Sequence, residues 1–115
     1  MKSFLNFILA LVLLGSIKVS AQSNAELLSV QLDALIQKSP AQITLNWVND
    51  GSATGFNIYR RANTSSAWGV AIANLGASIN TFVDNGVSVG MAYEYKVQKI
   101  GATNGYGYIN VAIEF

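Results

Sequence analysis

The chain has 115 residues, of which seven are basic and six acidic, and it contains neither cysteine nor histidine. Its length allows a single hydrophobic core and excludes two ordinary domains. Without histidine and cysteine the chain lacks the commonest general base, the usual nucleophile–base pairs and the ordinary zinc and iron ligands. We therefore expect no enzyme activity, no catalytic residue, no metal site and no cofactor.

The first 21 residues are typical of an export signal. Lys2 supplies a positive start, residues 4–17 form an apolar run, and Val-Ser-Ala at 19–21 offers small side chains for signal peptidase. A membrane anchor is the alternative, but spanning takes about 20 apolar residues and this run is shorter. We expect cleavage after Ala21, which leaves a single domain at 22–115 that is secreted, either periplasmic or extracellular, with no membrane contact.

The net charge and the absence of cysteine restrict which partners and which source organism we expect. Removal of Lys2 and Lys18 would leave five basic residues (7 − 2) against six acidic ones, a net charge near −1. No cluster of lysine and arginine is present, which argues against nucleic acid as a partner. An exported chain without cysteine has no disulfide, so the core must stabilise it. Exported domains of this kind are common in bacteria, and we expect a bacterial source.

Turn signals divide the expected mature chain into short segments. Asp-Gly or Asn-Gly pairs stand at 50–51, 85–86 and 104–105, and single glycines stand between them. Such pairs tolerate positive φ and mark tight turns. The segments between them are too short for ordinary helices and have the length of strands. The spacing predicts an all-β domain of antiparallel strands.

Residues 26–38 form the first predicted element. The apolar residues at 28, 30, 32, 34 and 36 alternate along it and would share one face of a strand. A helical stripe is also possible, so the periodicity alone leaves both structures open; the stripe would consist of Leu28, Leu32, Leu35 and Ile36. We favour a strand because Pro40 and the segment after it leave a path of strand, turn and strand.

Four later segments alternate between apolar residues on one face and mostly polar residues on the other. This period of two, with one polar face, is what a sheet covered on one side requires. Two such sheets packed face to face enclose one core. In chain order, the apolar sets are Ile43, Leu45 and Trp47; Phe56 and Ile58; Met91, Tyr93, Tyr95 and Val97; and Ile109, Val111 and Ile113.

These segments together resemble a fibronectin type III domain of the kind found in secreted bacterial proteins. ITLNW at 43–47 is similar to the second strand with its buried tryptophan, and GFNIYRR at 55–61 to the third strand. TFVDNGVSVGMAYEYKV at 81–97 resembles the stretch that enters the sixth strand, and GYGYINVAI at 105–113 the last strand. The resemblance covers most of 22–115 and rests on the order and spacing of the pieces.

The resemblance implies an immunoglobulin-like sandwich of seven antiparallel strands in two sheets. It also implies structural roles for three residues. Trp47 would be the core tryptophan, Tyr93 the corner tyrosine whose hydroxyl bonds to main chain, and Leu75 the leucine packed beneath that corner. The sequence has no Arg-Gly-Asp, so the integrin binding of some relatives is not implied.

The charged residues have ordinary structural interpretations. Asp50 and Asp84 stand in predicted turns, where aspartate commonly caps its own backbone, and we favour that over catalysis or calcium binding. Arg60-Arg61 should point to opposite faces of a strand, with one stem covering an apolar rim and the other side chain solvated. Glu94 and Lys96 share an outward face, and we expect them to form a solvated pair that contributes little to stability.

Four aromatic residues form the candidate ligand-binding surface. If Ile109 faces inward, Tyr106 and Tyr108 face outward, and Tyr59 and Trp68 fall on neighbouring parts of the chain. A row of exposed rings can stack on sugars or anchor a protein partner. The alternative, which we favour, is that the rings pack across neighbouring strands and stiffen the sheet.

The sequence therefore predicts an exported, non-catalytic module that serves as a spacer or a protein-interaction domain, alone or at the start of a larger secreted protein. A carbohydrate-binding accessory module, with a cell-surface polysaccharide bound by the exposed aromatics, is the alternative. A hydrolase that acts through Asp50 or Asp84 is the least favoured interpretation.

Overall fold

The structure is a computed structural model that describes residues 29–115. The expected export signal at 1–21 and the first residues of the predicted 26–38 strand lie outside the described residues. Residues 29–115 contain no helix that could span a membrane. They form seven strands: β1 Leu32–Lys38, β2 Ala41–Trp47, β3 Gly55–Ala62, β4 Ala73–Gly76, β5 Thr81–Asp84, β6 Ala92–Ile100 and β7 Gly105–Ala112.

The strands pair into two sheets in which every neighbouring pair is antiparallel. One sheet has the order β1-β2-β5, and the other has the order β4-β3-β6-β7. The predicted seven-stranded antiparallel sandwich is confirmed. The choice of strand over helix is also confirmed for 32–38, since that segment pairs with β2 along its whole length.

The core lies between the sheets and is built from alternate residues of each strand, as the period of two requires. Trp47 and Phe56 meet across it with ring centroids 5.4 Å apart. The buried members of the predicted sets are Ile43, Leu45, Trp47, Phe56, Ile58, Tyr93, Tyr95, Val97, Val111 and Ile113.

Two residues predicted on the buried faces are exposed. Ile36 is 51% exposed because it lies near the turn end of the edge strand β1, where only the earlier Leu32 and Ala34 pack onto the core. Met91 is 44% exposed because it precedes β6 and is not part of the paired strand. In both cases the alternation extends past the part of the strand that the other sheet covers.

The chain crosses from one sheet to the other just before β1. The amide of Val30 donates to the carbonyl of Tyr106 in β7 at 3.1 Å, which closes one side of the sandwich. Gly107 makes this crossing possible, because a Cβ at that position would overlap the carbonyl oxygen of Val30. The edge of β7 is therefore covered at this point by the segment that leads into β1.

Candidate binding face

The side of the four-stranded sheet that faces away from the core carries the candidate site, and we call it the outer face. Its side chains alternate with the core residues of β3, β6 and β7. The strand register places them in three rows that cross the sheet. The rows are Arg61, Glu94 and Asn110; Tyr59, Lys96 and Tyr108; and Asn57, Gln98 and Tyr106.

The middle row surrounds a lysine with aromatic rings. Nζ of Lys96 lies 4.2 Å from the ring centroid of Tyr59 and 5.0 Å from that of Trp68. Trp68 comes from the loop between β3 and β4, and its ring is 6.0 Å from that of Tyr108 and tilted by 44°. An ammonium group over an aromatic face is attracted by the ring quadrupole, by about 0.5–1 kcal/mol at exposed sites. Lys96 is therefore held by the rings of Tyr59 and Trp68, with Tyr108 opposite it on the neighbouring strand.

Arg61 holds the Trp68 loop against the sheet. Its Nε and Nη2 donate to Oε1 of Glu94 at 2.9 and 2.7 Å, and its Nη1 donates to the carbonyl of Ser66 at 3.1 Å. The guanidinium carbon lies 4.1 Å from the Trp68 ring centroid. The expected pairing of Glu94 with Lys96 is wrong, because the guanidinium reaches the carboxylate from the neighbouring strand with two donors.

The third row is a chain of side-chain hydrogen bonds. Asn74 donates to Asn57 at 2.5 Å, and the Asn57 amide donates to Oε1 of Gln98 at 3.1 Å. The hydroxyl of Tyr59 donates to the same Gln98 oxygen at 3.2 Å, and the Gln98 amide donates to the hydroxyl of Tyr106 at 3.4 Å. These bonds fix the amides and rings of the outer face relative to one another.

The structure brings three of the four predicted aromatic residues together around Lys96 and places the fourth, Tyr106, in the adjoining row. Tyr59 and Trp68 are half-buried, whereas Tyr106 is 40% and Tyr108 57% exposed. One face of both Tyr59 and Trp68 is occupied by a cation of the chain itself. Tyr59 therefore packs across neighbouring strands and Trp68 packs onto the sheet from its loop, while the two later tyrosines retain open surface.

A second polar cluster lies inside the sandwich. Nη1 of Arg60 donates to both carboxylate oxygens of Asp84 at 2.8 Å, and the hydroxyl of Tyr95 donates to Oδ2 at 2.6 Å. The amide of Gly86 donates to Oδ1 at 2.9 Å. Asp84 is only 4% exposed. Burial, together with the hydrogen bond to this carboxylate, raises the pKa of Tyr95.

This inner cluster joins the two sheets, because Arg60 and Tyr95 belong to β3 and β6 whereas Asp84 ends β5. The two arginines do point to opposite faces as predicted. The expectation that one of them is solvated is wrong, because each is paired with a carboxylate and their side chains are only 27% and 22% exposed.

Asp50 caps a turn, as predicted. It accepts hydrogen bonds from the amide and hydroxyl of Ser52 at 2.9 and 2.6 Å and from Nζ of Lys99 at 3.2 Å. The bonds from Ser52, followed by the one from Lys99, lower the pKa of Asp50 to about 2. Asp50 follows the end of β2, whereas Asp84 pairs with Ile43 near its start. The two carboxylates therefore lie at opposite ends of the sheet and do not converge on one cleft.

The three residues with predicted structural roles lie within the sandwich. Trp47 is 4% exposed, and its Nε1 has no hydrogen-bond acceptor among residues 29–115. The hydroxyl of Tyr93 accepts a hydrogen bond from the amide of Ser88 at 2.8 Å. Leu75 is half-buried in β4, where it pairs with Phe56 and packs against the core. The expectation that it packs beneath the Tyr93 corner is wrong, because Leu75 lies beside the start of β3 whereas Tyr93 pairs with the last residue of that strand. Within the described part of the chain, no group of three or more acidic, histidine or cysteine side chains could hold a metal ion.

The sheet order and the enclosed core define an immunoglobulin-like sandwich. Among solved structures it is similar to a Fn3-like protein from Clostridium thermocellum, with a TM-score of 0.54 and 24% identity over 73% of this chain and 83% of that one. The fold is therefore that of a fibronectin type III-like domain. No protein-family model matches the chain, and no curated protein matches its sequence.

Part of a larger enzyme has the same fold. Two crystal structures of pectate lyase PelI from Erwinia chrysanthemi match with TM-scores of 0.61 and 0.62 and identities of 23% and 20%. One of them contains tetragalacturonic acid. The chain spans 28% and 27% of the length of these two proteins, although the matches cover 72% and 73% of the chain itself. At these identities the likeness concerns the fold alone.

Proposed function

We propose that the chain is a non-catalytic module of an exported protein and serves as a spacer or protein-interaction domain in the periplasm or outside the cell. The observation that carries the interaction role is the outer face, where Trp68, Arg61 and Tyr108 stand together on a fixed sheet. Tryptophan, tyrosine and arginine are the residues that most often dominate the binding energy of protein interfaces.

The hydrogen bonds of the outer face support this role on energetic grounds. Binding a protein normally costs about 0.5–1.5 kcal/mol for each flexible side chain that becomes ordered. Here Arg61 is already held by Glu94 and by the carbonyl of Ser66, and Gln98 is held by Asn57. A partner would therefore meet side chains that are largely ordered before it binds.

The carboxylates support a module without catalysis. Asp84 is buried and already accepts from Arg60, Tyr95 and Gly86, so it has no free position for a substrate proton. Asp50 is engaged by Ser52 and Lys99 at the other end of the sheet. A paired-carboxylate hydrolase needs two such groups on opposite sides of one bond, and this arrangement does not supply them.

Export is tested on the protein itself. Mass spectrometry of the full chain, expressed with its own N-terminus in a bacterial host, should give a product that begins at Gln22 and is recovered from the periplasm or the medium. The signal-peptide pattern at 1–21 is the basis for this expectation. A product that keeps Met1 and stays inside the cell would contradict the export part of the proposal.

The interaction role is tested by placing a photo-crosslinking amino acid at position 108 in the native host. Leu35 is the matched control, because it is 65% exposed on the outward side of the other sheet. We expect position 108 to give a defined protein adduct that is reproduced with the purified partner, and position 35 to give none. Adducts at neither position would limit the role to that of a spacer.

Carbohydrate binding is the second candidate, and two observations favour it. Tyr106 and Tyr108 are 40% and 57% exposed, and one structural match is a pectate lyase solved with tetragalacturonic acid. The cations over Tyr59 and Trp68 count against it, because a sugar would need those ring faces free. If affinity electrophoresis shows retardation by a polysaccharide that Tyr106→Ala/Tyr108→Ala abolishes, this candidate replaces the first.

A further inference from the structure

Lys96 differs from the other charged residues around it, because no carboxylate among residues 29–115 balances its charge. Three ion pairs are present among residues 29–115: Arg60–Asp84, Arg61–Glu94 and Lys99–Asp50. Of the five basic residues in this range, Lys38 and Lys96 remain without a carboxylate partner. Lys38 ends β1 in the three-stranded sheet, so Lys96 is the one described residue that brings an unbalanced positive charge to the outer face.

The surroundings of Lys96 make this charge suitable for recognition. Its side chain is half-buried at the centre of the three rows, with Tyr59 on one side and Tyr108 on the other. The contacts of Nζ with the rings of Tyr59 and Trp68 restrict where the ammonium lies. A charge that is held in place among apolar rings binds an opposite charge more strongly than a freely solvated one, because less water screens it.

We infer that Lys96 and the rings around it bind a carboxylate side chain of an acidic protein segment. The ammonium group pairs with the carboxylate, and the exposed surface of Tyr108 packs against the apolar part of the same segment. This inference rests on the proposed protein-interaction role and adds the chemistry of the partner. Arg61 does not add to the attraction, because Glu94 already neutralises it.

An acidic protein segment fits the outer face better than an acidic polysaccharide. Sugar recognition by stacking needs open ring faces. Both Tyr59 and Trp68 are half-buried, and a cation of the chain already occupies one face of each ring. The amides of Asn57 and Gln98, which could otherwise bind sugar hydroxyls, already bond to each other. The positive charge beside an exposed tyrosine is what remains available, and an acidic side chain complements it.

The test is an amide chemical-shift titration of the isotope-labelled chain with end-blocked hexaglutamate at about 0.15 M salt, where distant charges are screened. We expect saturable shifts centred on Tyr59, Lys96 and Tyr108. Lys96→Met should weaken binding about tenfold, which corresponds to about 1.4 kcal/mol, and Lys96→Arg should retain most of it. Lys38→Met removes the same charge from the other sheet and should leave the affinity unchanged.

Three results would overturn the inference. Equal weakening by Lys96→Met and Lys38→Met would mean that only net charge matters, provided that the spectra show both variants to be folded. Shifts of the same amides by tetragalacturonate but not by hexaglutamate would assign the site to an acidic glycan. If hexaglutamate does not bind while position 108 still crosslinks to a defined protein, this inference is wrong and the proposed function stands.

Discussion

Two arginines that are neighbours in the sequence show how differently the two sides of one strand are used. Arg60 points into the sandwich, where it meets the buried Asp84 at 2.8 Å. Arg61 points outward, where it meets Glu94 at 2.7 Å and covers the ring of Trp68. Both are arginine–carboxylate pairs of similar length. What separates them is the environment of the carboxylate, whose side chain is 5% exposed in the first pair and 22% in the second.

The comparison indicates that the inner pair serves the fold and the outer pair serves the surface. Asp84 connects the two sheets and would remain a buried charge without its donors, so its loss affects the whole sandwich. The Glu94 pair lies at the surface, with both side chains 22% exposed, so water can replace it at a smaller cost. Surface ion pairs contribute about 0–1 kcal/mol. Its effect is local, since Arg61 also binds the loop that carries Trp68.

Asp84→Asn should lower the free energy of unfolding by about 3 kcal/mol, the lower end of the range for breaking a buried pair, because Arg60 is partly exposed. The amide removes the negative charge that the guanidinium and the Tyr95 hydroxyl both approach. Glu94→Gln is the matched control and should cost less than about 1 kcal/mol. Urea denaturation measures both. Equal losses would contradict the division between the inner and outer pairs.

The sequence was sufficient to predict the inner side of the fold. A period of two over β2, β3, β6 and β7 separates core from surface without knowledge of which strands pair, and Trp47 and Ile58 lie where it puts them. The exceptions, Ile36 and Met91, lie where the alternation continues beyond the covered part of a strand. The pattern reports which way a side chain points, but it does not report how far the opposing sheet extends.

The outer face could be predicted only in part. Outward orientation of Tyr106 and Tyr108 follows from alternation, but the partners of Arg61 and Lys96 depend on the register between β3 and β6, which are separated by about thirty residues in the chain. The position of Trp68 depends further on how the loop after β3 folds back. Local spacing along the chain contains neither the register nor the path of the loop. On spacing alone, Glu94 is therefore paired with Lys96 on the same strand, and Arg61 on the neighbouring strand is missed.

Gly107→Ala should lower the free energy of unfolding by about 2 kcal/mol, within the range for overpacked positions. The new methyl group would overlap the carbonyl oxygen of Val30, which is backbone and cannot rotate away, so the crossing before β1 must shift. Tyr108→Ala, the outward neighbour on β7, should cost about 1 kcal/mol or less, because it loses mainly the ring contact with Trp68. Thermal denaturation of the two variants measures both losses. If Gly107→Ala destabilises the chain no more than Tyr108→Ala does, the close approach of Val30 to position 107 is contradicted.

Tyr95→Phe should cost about 1.5 kcal/mol at neutral pH, because it removes a hydrogen bond to a charged acceptor. It should also change the alkaline behaviour. The folded pKa of Tyr95 is raised by burial and by Asp84. Its contribution to stability is therefore fully present below the unfolded value of about 10 and decreases as the pH rises beyond it. Urea denaturation at a series of pH values from 8 to above 10 should show that the free energy of unfolding declines less steeply for Tyr95→Phe than for the unmodified chain. Parallel declines would contradict the expectation that Tyr95 stabilises the fold less as the pH rises.

Arg61→Lys should change the free energy of unfolding by less than about 0.5 kcal/mol, as surface substitutions usually do, and yet loosen the Trp68 loop. A lysine keeps the charge near Glu94 but loses the planar group that donates to Ser66 while it lies over the ring. Acrylamide quenching of tryptophan fluorescence should therefore increase, because Trp47 is buried and only Trp68 can gain access to the quencher. Arg60→Lys provides the converse, with a larger loss of stability and unchanged quenching. If Arg61→Lys altered stability but not quenching, the outer pair would serve the fold in the same way as the inner one.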